Sequence, residues 1–141
     1  TFQSGTPLNV TIQGDRANIG RTPQRPDVLK DVELTCEPNP SGPGLVNCID
    51  PTAFALPAQY TFGNAPRNML GGLGYSQTNL ALSKSFVMGG RARLMGLAQV
   101  FNLFNEVNWG APNTTFGAAN FGRVTSASPM RQMELGAKLT F

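Results

Sequence analysis

Few residue types in this chain could carry chemistry, and their placement argues against catalysis. The 141 residues include no histidine. That removes Ser-His-Asp and Cys-His catalysis and histidine-ligated metal sites. The acids are Asp15, Asp27, Asp31, Glu33, Glu37, Asp50, Glu106 and Glu134. All but the last two fall in one turn-rich stretch, 14–74. Loop carboxylates and carbonyls suit a hard cation such as calcium. Their spacing follows no calcium-loop pattern, so solvated loop charge is the expected role. With no convergent acid pair, no enzyme activity, metal or cofactor is expected.

Cys36 and Cys48 are the two cysteines and lie in that same stretch. They fit neither a CxxC redox pattern nor a zinc pattern. In an oxidising compartment two loop cysteines most simply bond to each other; the alternative is two free thiols. Gly71-Gly72-Leu73-Gly74 resembles a phosphate loop only superficially, because a strand-like run follows where phosphate binding needs a helix N-terminus. The net charge is +3, with basic residues scattered from Arg16 to Lys138. No basic cluster interleaves with aromatics in the sequence, so no nucleic-acid partner is expected.

Charged residues make up 13% of the chain and hydrophobic ones 40%. Soluble domains carry about a quarter charged residues, yet no run here approaches the ~18 apolar residues of a membrane helix. Barrel strands with one lipid face and one wet face give this balance. Four segments alternate with period two, as such strands do. In 2–13, Leu8, Val10 and Ile12 share a face. In 77–87, Leu80, Leu82 and Phe86 do, with Lys84 on the apolar side near the strand end, where its amine can snorkel to the interface. In 92–104, Leu94, Gly96, Ala98 and Val100 oppose Met95, Leu97, Gln99, Phe101 and Leu103. In 131–141, Met133, Leu135, Ala137, Leu139 and Phe141 oppose Gln132, Glu134, Gly136, Lys138 and Thr140. On that last strand Gln132, Glu134 and Lys138 are expected to face the lumen.

The segments have about the 9–11 residues that a tilted strand needs to cross a bilayer. Met88-Gly89-Gly90-Arg91 makes a short turn between the second and third. The other connections, 14–74 and 105–130, are long and full of turn residues. Barrels in the outer membrane have short periplasmic turns and long outer loops, so the order long, short, long fits four up-and-down strands. Phe104 is expected in an interfacial aromatic girdle, and Trp109, Phe116 and Phe121 in loop packing. The fold class is therefore all-β: about four antiparallel strands of a transmembrane barrel, with long irregular outer loops. Open sheet edges in lipid leave backbone groups unpaired at several kcal/mol each. Residues 1–141 are thus expected to be a partial C-terminal barrel domain whose remaining strands lie upstream. The alternatives are a secreted β-rich structural or adhesive unit and a trimeric outer-membrane anchor.

Several motifs in order resemble the C-terminal end of TonB-dependent receptors of the Oar-like type, which often carry a carboxypeptidase-regulatory-like domain. They are Gln3-Ser4-Gly5-Thr6-Pro7-Leu8, Gly14-Asp15-Arg16-Ala17-Asn18, Gln24-Arg25-Pro26-Asp27 and Ala53-Phe54-Ala55-Leu56-Pro57. Thr61-Phe62-Gly63-Asn64-Ala65-Pro66-Arg67-Asn68, Phe101-Asn102-Leu103-Phe104-Asn105, Asn120-Phe121-Gly122-Arg123-Val124-Thr125 and Pro129-Met130-Arg131-Gln132-Met133-Glu134-Leu135 continue the series. The resemblance implies a large plugged barrel in the bacterial outer membrane. Such a barrel imports a scarce ligand with energy passed through TonB, whose contacts lie in the N-terminal part. Its partners would be outer-membrane lipid and the other strands and plug domain of the same polypeptide. It also implies that Phe141, with Leu139 and Leu135, forms the terminal signal read during membrane insertion. Met95 and Leu97 depart from the family pattern, which has polar residues there, and the cysteine pair lies outside it.

Overall fold

Alternating apolar residues pair across three long strands, and their register decides which faces coincide. A computed structural model describes residues 1–90 and 92–141; Arg91 of the expected turn lies outside the described residues. The strands are β1 (Leu80–Met88), β2 (Ala92–Phe101) and β3 (Gln132–Thr140), all antiparallel in the order β1-β2-β3. Residues directly opposite in such a ladder share a face. Leu82 stands opposite Ala98 and Ala98 opposite Leu135; Phe86, Leu94 and Leu139 form a second row, and Leu80, Val100 and Met133 a third. One face of the sheet is thus apolar across all three strands, as the alternation requires.

The chain forms two compact units. The first holds this sheet and comprises Thr1–Gln3, Tyr75–Asn108 and Ser128–Phe141. The second comprises Ser4–Gly74 and Trp109–Ala127.

The expected first strand, 2–13, does not form as one element. Phe2–Gln3 pairs with Tyr75–Ser76, Pro7–Leu8 with Leu70–Gly71, and Thr11–Ile12 runs parallel to Thr115–Phe116. Two residues cause the break. Pro7 has no N–H to give to a ladder. Gly5 lies so close to the Gly72 backbone that a Cβ would meet the Gly72 carbonyl oxygen at 1.7 Å. The apolar row of this segment does not face lipid. Val10 and Ile12 are 1% and 3% exposed, and Val10 belongs to a core with Ile49, Phe54, Leu70 and Val124.

The connection 14–74 was expected to be irregular, but with part of 105–130 it builds this second unit. Its ladders are two residues long: Asp27–Val28 with Phe54–Ala55, and Glu37–Pro38 with Leu45–Val46. Val124 joins Leu45 by reciprocal backbone hydrogen bonds of 3.0 and 2.8 Å. Phe54, Phe116 and Phe121 form an aromatic triad with ring centroids 5.6–5.9 Å apart. Trp109 packs against the same core. Phe104, in contrast, is 68% exposed in the first unit.

Cys36 and Cys48 are joined by a disulfide, 12 positions apart, and Cys48 is fully buried. The bridge closes the hairpin around Asn39-Pro40-Ser41-Gly42-Pro43-Gly44. Closing a loop of this size restricts the unfolded chain by roughly 3 kcal/mol. Reduction, or the double change Cys36→Ala with Cys48→Ala, is expected to lower the stability of the second unit by that order. Denaturant titration with and without reductant measures it.

Candidate membrane wall and its end clamps

The wall has two chemically different faces. The apolar one carries Leu82, Phe86, Leu94, Val100, Met133, Leu135 and Leu139, and Leu135 is 87% exposed in the isolated chain. A bare row of this kind is unfavourable in water and suited to acyl chains. Phe141, beyond the end of β3, is 93% exposed. The opposite face carries Ser83 and Ser85 of β1, Arg93 and Gln99 of β2, and Gln132, Glu134, Lys138 and Thr140 of β3. Glu134 is opposite Gln99, Lys138 opposite Met95 and Gln132 opposite Phe101. Glu134 and Lys138 share this face, yet among the described residues they form no ion pair. Met95, Leu97 and Phe101 make part of it apolar, and a Cβ added at Gly136 would meet the Leu97 side chain at 3.8 Å.

Lys84 departs from expectation. It sits at the middle of β1, opposite Gly96, not near the strand end. Its amine lies over the Phe86 ring, 5.3 Å from the centroid. Phe86 is nearer the hairpin turn, so the stem runs along the apolar face towards that end, as snorkelling lysines do. The glycine opposite leaves it room.

At the other end of the sheet, asparagines fix how the strands leave it, a role the sequence reading missed. Asn102 and Asn105 have φ of 55° and 56°, a left-handed conformation that asparagine tolerates better than most residues. The Asn102 side chain is buried and bonded twice to the Glu106 backbone, donating to its carbonyl at 2.8 Å and accepting its N–H at 3.0 Å. The Asn102 N–H donates to the Asn79 side chain at 3.1 Å, tying β2 to the start of β1. Asn105 accepts the Arg131 N–H at 2.9 Å, tying it to the start of β3. Asn108 grips Ser76 by both its N–H and its carbonyl, each at 2.7 Å. Amide side chains imitate a backbone partner, so strand ends with no ladder stay satisfied. The visible signal was the Phe101-Asn102-Leu103-Phe104-Asn105 string.

In the second unit, Asp50 caps the short helical turn Pro51–Ala53. Its carboxylate meets Lys30 at 2.7 Å and accepts from the Thr52 hydroxyl and N–H at 2.7 and 2.8 Å. Lys30, then these two Thr52 bonds, lower its pKa to about 2. A depressed carboxylate stabilises the fold above its unfolded value near 4 and loses that contribution as pH falls through the folded value. The Asp50 carboxyl resonance should therefore titrate with a midpoint near 2. Lys30→Met should move the midpoint up; an unchanged midpoint would remove Lys30 as the cause. Asp15 is lowered too. Desolvation opposes its ionisation, but the N–H groups of Ile19, Gly20 and Asn18 and the Gln24 amide outweigh that.

Among the described residues no group of three or more acids or cysteines is placed to hold a metal ion. The organised features of the chain are a two-faced sheet and a folded unit built from the long connections. No curated protein and no solved structure matches the chain. The profile of the outer membrane beta barrel domain matches residues 1–134. A sheet with one bare apolar face and a match over nearly the whole chain lead to one assignment. The chain belongs to the outer membrane beta barrel domain family, and its location is the outer membrane.

Proposed function

We propose that this chain is the C-terminal part of a TonB-dependent, Oar-like transport receptor that imports a scarce ligand across the outer membrane. In this reading β1, β2 and β3 are wall strands, and the hairpin turn at Gly89-Gly90 faces the periplasm. The chain contributes wall and ligand-facing surface and performs no catalysis. The plug, the TonB contact and the other strands belong to the same polypeptide.

One observation supports a wall larger than these three strands. Thr1 and Gln77 exchange two hydrogen bonds: the Thr1 amine donates to the Gln77 carbonyl at 2.6 Å, and the Gln77 N–H donates to the Thr1 carbonyl at 2.8 Å. With Phe2 opposite Ser76 and Gln3 opposite Tyr75, the ladder is antiparallel. Chain preceding Thr1 would continue down the free edge of β1, opposite Thr78 to Met88. If a strand precedes Thr1, this ladder would set its register, and it would satisfy an edge that lipid cannot. The motif series from Gln3 to Leu135 supports the receptor type within the family.

The test is ligand uptake by cells carrying the whole polypeptide, with and without TonB. Uptake that needs both supports the reading. Uptake indifferent to TonB, or a polypeptide without a plug domain, contradicts it.

A further inference from the structure

The basic residues look scattered in sequence, but the fold of the second unit gathers three of them. A cavity of about 240 Å³ is lined by Arg21, Arg25 and Arg67 together with Ile19, Pro23, Gln24, Phe62 and Gly63. No acid lines it. Among the described residues the one ion pair is Lys30–Asp50, so none of the three guanidinium groups is neutralised by a described carboxylate. Three arginines around one cavity with no carboxylate in its lining give it a positive potential that favours an anion.

Hydrogen bonds fix the scaffold under them. Gln24 is 7% exposed, and its amide donates to the Arg21 carbonyl at 3.1 Å while its oxygen accepts the Ala17 N–H at 3.0 Å. The Gln24 carbonyl accepts the Ile12 N–H at 2.9 Å, which fastens the segment to the core. Asn64 accepts the Val28 N–H at 2.7 Å and donates its own N–H to Asp27 at 3.0 Å; the Ala65 N–H donates to the Pro26 carbonyl at 3.0 Å. These bonds bring the Arg67 segment beside the Arg25 segment. Gly63 makes the approach possible: a Cβ there would meet the Arg25 carbonyl oxygen at 2.1 Å. The nearby Asp15 carboxylate is engaged by the Gly20 N–H, at 2.5 Å, and by the Gln24 amide.

We propose that this cavity binds an oxyanion, a phosphate ester or carboxylate, carried on an apolar or aromatic body. Guanidinium groups match both oxyanions with paired N–H donors. Phe62 and Ile19 are 68% and 49% exposed and offer the adjoining apolar surface. Binding follows from the fold of the second unit alone; use of the cavity to capture an imported ligand rests on the transport reading.

The test is calorimetric titration of the chain, disulfide intact and in a neutral-headgroup detergent, with phenyl phosphate and with inorganic phosphate. Phenyl phosphate should bind at one site, several-fold more tightly than inorganic phosphate and more weakly as salt is raised. Arg21→Gln with Arg67→Gln should weaken it at least tenfold. Phe62→Ala should abolish the preference for the phenyl ester, and Arg123→Gln, away from the cavity, should change nothing. If the double variant loses its fold by near-ultraviolet circular dichroism, Arg67→Gln alone should still weaken binding about threefold. Absence of saturable binding, or equal losses in the Arg123 and cavity variants, would overturn the proposal. Displacement of phenyl phosphate by phosphatidate vesicles would identify lipid headgroups as a source of the oxyanion; its absence would point to soluble ligands. A polypeptide that binds phenyl phosphate but shows no TonB-dependent uptake keeps the site and loses the transport reading.

Discussion

Leu135→Arg is expected to destabilise the membrane-embedded sheet by about 2–4 kcal/mol, the cost of an arginine on the lipid face near the bilayer midplane. Leu135 lies in the interior of β3, opposite Ala98, in the apolar row that Leu82 completes. Nothing beside it would neutralise a guanidinium, since Met133, Ala137 and Leu139 are its same-face neighbours along the strand. Glu134→Gln, one residue away on the other face, should change stability by less than about 0.5 kcal/mol, as wetted substitutions usually do. Urea titration of the whole polypeptide in bilayers separates the two variants. Equal small effects would mean that the apolar face does not meet lipid. The contrast is one-residue sharp because strand side chains alternate with period two.

Phe54→Ala is expected to cost the second unit about 3–5 kcal/mol, the range for removing a buried aromatic ring. Phe54 is 4% exposed, and its ring touches two others, those of Phe116 and Phe121, each with centroids 5.9 Å away. The rings come from distant parts of the chain, so losing the central one weakens the tie between 4–74 and 109–127. Trp109 packs on this core and supplies a fluorescence signal for its denaturation. The exposed Phe104 makes the control: Phe104→Ala should stay within about 0.5 kcal/mol. A comparable loss from both would show that Phe54 is not a core residue.

Three wall strands were legible because their faces differ in polarity at every second residue, and the short glycine turn fixed which two form a hairpin. The strand ends differ by one to three residues, and β2 stops at Phe101 because Asn102 turns the backbone. The segment 2–13 was misleading for a physical reason. Alternation reports that one face is buried, not what buries it, and Val10 and Ile12 are covered by the second unit rather than by lipid. Gly5 and Pro7 were the available warning. Outside that segment the second unit left no periodic trace. Its ladders are two residues long, too short to show a period, and its core draws on residues as far apart as Val10 and Val124. The convergence of Arg21 and Arg25 with Arg67 was hidden the same way, by some forty intervening residues.

If β1, β2 and β3 are membrane wall, Leu135 points outward and Glu134 inward. A nitroxide scan measures this directly. Single cysteines placed in turn at 132–140 of the whole polypeptide are labelled in the outer membrane, and their accessibility to oxygen and to a water-soluble nickel chelate is compared. Alternation is expected: oxygen-accessible labels at 133, 135, 137 and 139, and chelate-accessible labels at 134, 136 and 138. Uniform chelate access along the strand, or alternation in the opposite phase, would contradict it.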